Sequence, residues 1–74
     1  MNQVAAFYLS EARKWAKLRN ELYKTAAENI RDYPEFSYER SQWWFRRIAV
    51  VARRIEQNKA DFRSEQEFQR RFCE

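Results

Sequence analysis

Arg31-Asp32-Tyr33-Pro34-Glu35-Phe36-Ser37 is the stretch that divides this chain. It holds the only proline, whose ring pushes Tyr33 out of the α region, so a helix arriving from the N-terminal side ends there. Ser37 follows as a candidate cap for the next helix. The flanks on both sides read as helix. From about Gln3 to Arg31, the residues Val4, Tyr8, Ala12, Trp15, Leu18, Leu22, Ala26 and Ile30 recur at three- and four-residue spacing. On a helical wheel they form one stripe about 120° wide. Arg13, Lys14, Lys17, Glu21, Lys24 and Glu28 gather on the opposite side, and Asn2 is placed to cap the first turn. Arg19 intrudes near the centre of the stripe and Glu11 near its margin, so the packing is not a uniform seam.

Beyond the break, a second helix is expected from about Tyr38 to Gln57, with Ser41, Trp44, Phe45, Ile48, Val51, Ala52 and Ile55 as its core stripe. Asn58 to Arg63 read as a connection. Ser64-Glu65-Gln66-Glu67 is a capping-box pattern that opens a short third helix, about residues 65–73, in which Phe68 and Phe72 sit one turn apart and can pack on the core. The expectation is one all-α domain, a small three-helix bundle or an open helical array.

Composition points the same way. The chain has 74 residues and no glycine, and hairpins need Gly, Asn or Asp at positive φ, so sheet folds are disfavoured. Aromatic residues make up 18% of it, too many for a disordered segment. Small domains lean on disulfides, metals or partners. One cysteine, Cys73, cannot form an internal disulfide, and without histidine it cannot build a zinc cage, so no metal or cofactor is expected and a partner is the aid that remains. Such cysteine usage suits a reducing intracellular compartment. The longest uncharged stretch, Met1 to Ser10, is far short of the roughly 20 residues of a membrane span.

Catalysis is not expected. Neither Cys73 nor any Ser or Thr hydroxyl has an imidazole to activate it, and there is no Gly-rich phosphate loop. The informative feature is instead the outer face of the second helix. Eleven of the fifteen basic residues are Arg, and between Arg40 and Arg54 there are five arginines and no acid. Arg40, Arg47 and Arg54 recur every seven residues, with Arg46 and Arg53 on the neighbouring row. Trp43 and Val50, also seven apart, project among them, and Trp43 lies one turn before Arg47, within cation–π reach. An apolar pair framed by arginines is a candidate protein-binding face, since Trp and Arg dominate interface hot spots. The other reading of Trp43 and Val50 is core, with arginines snorkelling at its edges. A nucleic-acid reading uses the same arginines on phosphates, with Trp43 stacked on a base. A membrane-surface reading would place Trp43-Trp44-Phe45 at the headgroup level. A phage- or plasmid-type accessory protein that binds a host protein is a further possibility.

From Leu22 onward the chain resembles the LYR-motif family of small helical mitochondrial adaptor proteins. The matching points are Leu22-Tyr23-Lys24, Arg31-Asp32-Tyr33-Pro34, the basic helix ending Arg53-Arg54-Ile55-Glu56-Gln57-Asn58-Lys59, and the acidic start at Ser64 to Glu67. Lys24 stands where the family signature has arginine, and Ile55 where it usually has phenylalanine. The resemblance implies a three-helix adaptor that docks on an acyl carrier protein and helps assemble a larger complex. Leu22, Tyr23 and Lys24 would be its signature, the arginines of the second helix would meet the acidic partner, and the compartment would be mitochondrial. Without it, the cytoplasm is expected. The net reading is a non-enzymatic helical interaction module, an accessory or assembly subunit that binds protein and could also self-associate.

Overall fold

The computed structural model describes residues 2–72, and among them every regular element is helical: α1 (Gln3–Asp32), a single 3-10 turn (Pro34–Phe36) and α2 (Ser37–Phe72). Asn2 caps α1, its Oδ1 accepting the Ala5 N–H at 2.7 Å. Tyr33 closes the helix at φ −132°, ψ 63°, and its N–H is shared between the carbonyls of Asn29 and Ile30. Pro34 then opens the 3-10 turn, where its missing N–H costs nothing. Ser37, expected as a cap, already has helical angles (φ −60°, ψ −37°), so the turn runs directly into α2.

The chain folds back on itself as two antiparallel helices. Asn2 Nδ2 donates to Glu65 Oε1 at 3.1 Å, Arg54 lies over the Trp15 ring, and Asn29 meets Arg40 and Trp44. With that register, α2 outruns α1 from about Gln66 to Phe72. The Cα atoms fill 59 × 15 × 9 Å, a rod one helix layer thick.

Contact residues follow a heptad rather than a 3.6-residue stripe. On α1 they are Ala5, Tyr8, Ala12, Trp15, Arg19, Leu22, Ala26 and Asn29. On α2 they are Ser41, Trp44, Ile48, Val51, Ile55, Asn58, Phe62, Glu65 and Gln69. All are buried or half-buried, and their alternating three- and four-residue spacing is that of a left-handed coiled coil. Ala5, Ala12 and Ala26 are buried at one seven-residue row of α1, and the buried apolar residues of α2 are the bulkier Ile48, Val51 and Ile55. Small residues on one side let the axes approach closely. Arg19 occupies the place in that row where another alanine would sit, and its buried Nε has no partner.

The expected third helix is not separate. Asn58 to Arg63 are helical, and Ser64 lies inside α2 rather than capping a new helix. No glycine or proline breaks this stretch, and the seam continues through it with mostly polar residues around Phe62. Asn58 is buried to 9% exposure, followed by Phe62, Glu65 and Gln69. The three-helix bundle is thus a two-helix hairpin. Other expectations shift with it. Phe45 is 69% exposed and outside the core, Val4 and Leu18 lie on the margin, and Ala5 takes the buried place next to Val4. Phe68 and Phe72 do pack together, with ring centroids 5.0 Å apart, but on the exposed overhang. Cys73, at the end of the expected third helix, lies outside the described residues.

Candidate interaction face

Because α2 is continuous, Arg40, Arg47 and Arg54 fall on one row beside the seam, and each guanidinium lies over an aromatic ring. Arg40 is 4.1 Å from the centroid of Tyr33 in the turn, and Arg47 is 3.8 Å from that of Trp43. Arg54 is 5.4 Å from that of Trp15 on α1. Such cation–π contacts hold a guanidinium flat, and at Arg40 the Nε is buried as well. Among the described residues, none of the three has a carboxylate within 4.0 Å. The ion pairs that do form, such as Lys14–Glu11 and Arg71–Glu67, lie one helical turn apart on the surface and contribute little to stability.

Trp43 and Val50 lie outside the seam, 49% and 63% exposed, so they are surface rather than core. Trp43 meets Trp44 edge-to-face at 4.7 Å, and Trp44 turns inward toward α1. Val50, Arg47 and Val51 share an apolar groove with Leu18 and Leu22. At the turn end the same face opens into a cleft of about 480 Å³ lined by Asn29, Phe36, Glu39, Arg40, Trp43 and Trp44.

Asn29 holds this end together. Its Oδ1 accepts Arg40 Nη1 at 2.9 Å and Trp44 Nε1 at 3.1 Å, satisfying the indole N–H and fixing the Arg40 fork. Sequence reasoning passed over Asn29, because an apolar stripe has no place for it. Its seven-residue relation to Tyr8, Trp15 and Leu22 was the available signal. The arginines of the neighbouring row do not join the face. Arg46 and Arg53 are exposed on the back of α2, with Arg53 beside Ala52, Glu56 and Gln57. Leu22, Tyr23 and Lys24 are likewise divided: Leu22 sits in the seam and groove, while Tyr23 and Lys24 are exposed.

No protein-family model, curated protein or solved structure matches the chain. The face therefore stands on its own chemistry. It offers an apolar groove, flat aromatic surface and three guanidiniums with no carboxylate within 4.0 Å among the described residues. Among the described residues, no cluster of His, Cys, Asp and Glu could hold a metal ion, and no helix is long and apolar enough to cross a membrane.

Proposed function

We propose that this chain is a non-enzymatic helical interaction module that docks protein on the face formed by Trp43, Arg47 and Val50 of α2 with Leu18 and Leu22 of α1. The observation that carries the reading is Trp43, half exposed on a rigid helix with the Arg47 guanidinium 3.8 Å over its ring. A rigid Trp–Arg pair beside an apolar groove supplies large contact area with few rotamers left to freeze, which is how hot spots are built. An accessory or assembly role is the reading that such a face supports. An acyl carrier protein, the acidic partner that the LYR-family resemblance implies, would meet the Arg40, Arg47 and Arg54 row.

The test is to titrate a captured protein partner against the wild-type chain and against Trp43→Ala. The substitution should weaken binding by more than about 1 kcal/mol and leave the far-ultraviolet helix signal unchanged. Equal affinity for both would show that the face is not used. A second reading, nucleic-acid binding, is favoured by the carboxylate-free arginine row. It requires a mobility shift with duplex or single-stranded nucleic acid at low salt that fades steeply as salt rises.

A further inference from the structure

Extended through α2, the arginine row reads Arg40, Arg47, Arg54, Asp61, Phe68 at constant seven-residue spacing. Its turn end is basic, and its far end carries an acid and then an aromatic ring. Neither Arg47 nor Asp61 has an oppositely charged side chain within 4.0 Å among the described residues; Asp61 Oδ1 accepts only from Gln57, at 3.0 Å. Positions flanking a coiled-coil seam are those where charge selects a partner.

We infer that the partner of this face is a second copy of the chain, the two hairpins packing face to face with α2 antiparallel to α2 about a two-fold axis near Arg54. The inference rests on the protein-docking reading above. A two-fold at Arg54 sets each residue against the one equally far on the other side. Asp61 of one copy then meets Arg47 of the other, and Phe68 meets Arg40. Phe72 reaches Phe36, so the exposed aromatic overhang of each hairpin enters the turn-end cleft of its partner. Arg54, on the axis, lies over Trp15 of its own chain.

Size agrees with the pairing. A broad face of the rod measures 59 × 15 Å, close to the about 800 Å² per partner that a standard interface buries. Doubling the layer also supplies what the hairpin lacks. Its own buried apolar core is six residues, three of them alanine, whereas domains are built from two packed layers. The product is a four-helix bundle with an isologous interface.

Sedimentation equilibrium of the whole chain across micromolar concentrations, with reductant present so that Cys73 cannot cross-link, provides the test. A dimer is expected. Arg47→Asp and Asp61→Arg should each raise its dissociation constant at least about tenfold, and the double variant should recover most of that loss. Circular dichroism checks that each variant stays helical. Phe68→Ser, on the overhang outside the hairpin's own seam, should weaken the dimer even if a charge variant unfolds. A monomer at every concentration would overturn the inference, with the protein-docking reading left to the Trp43→Ala titration. A dimer indifferent to Arg47, Asp61 and Phe68 would overturn it as well, because the copies would then associate elsewhere.

Discussion

Ile55→Ala and Phe45→Ala together test where the seam runs. Both residues belong to the apolar stripe expected from sequence, yet Ile55 is 2% exposed and Phe45 is 69% exposed. Truncating Ile55 removes three carbon groups, worth about 0.8 kcal/mol each, or about 2.4 kcal/mol of lost transfer energy. A cavity term adds to this, within the roughly 2–5 kcal/mol range of such changes. The rod is one layer thick, so neighbouring side chains can relax into the gap, and the lower half of that range is expected, about 2.5–3.5 kcal/mol. A single core in a chain of this size supplies no more than about 3–5 kcal/mol, so the variant should be close to unfolded at room temperature. Phe45→Ala should change stability by less than about 0.5 kcal/mol. Urea melts followed by circular dichroism at one fixed protein concentration measure both, since association would make the midpoint concentration-dependent. Comparable losses for the two variants would refute the heptad seam and restore the broader stripe.

Asn29→Ala should cost about 1–3 kcal/mol in the same melts, because it strands the Trp44 indole N–H and an Arg40 donor. Asn29→Asp, which keeps the acceptor beside Arg40, should recover most of that. Asn58→Leu should raise stability by about 1 kcal/mol or more, since the buried Asn58 Nδ2 has no partner. Trp44→Ala should lose about 3 kcal/mol and Trp43→Ala far less, although the rings touch, because only Trp44 faces the seam. Asn2→Ala should cost about 1 kcal/mol and show as faster amide exchange in the first turn of α1.

Much of the fold was legible where chemistry is local. Tyr33-Pro34 fixes the end of α1 by steric exclusion alone, and Asn2 caps it as its side chain allows. The cation–π contact of Arg47 with Trp43 followed from one-turn spacing. What stayed hidden depended on register. A wheel drawn at 100° per residue gives Phe45 and Val51 equal standing at opposite edges of the stripe, and only pairing with α1 shows that Val51 is the buried one. The stretch from Asn58 to Arg63 looked like a link because Phe62 is its one large apolar residue, yet nothing in it terminates a helix. Asn29 and Asn58 were invisible to a search for apolar repeats, whereas Arg19 showed only as a charge intruding on the stripe. The rings under Arg40 and Arg54 belong to the turn and to α1, so that part of the face waited on the antiparallel pairing.

The single turn gives this molecule a mechanical direction. Contacts across the hairpin span 11 residues between Asn29 and Arg40, next to the turn, and 63 between Asn2 and Glu65 at the open end. Loop-closure entropy rises with span, so the near contacts form first and each one shortens the search for the next. Opening runs the other way. Tension applied at Asn2 and Glu65 loads one pair of seam residues at a time, so the helices peel apart in sequence at low force. The same force applied along the two helices in opposite directions would load the whole seam at once and meet a much higher threshold.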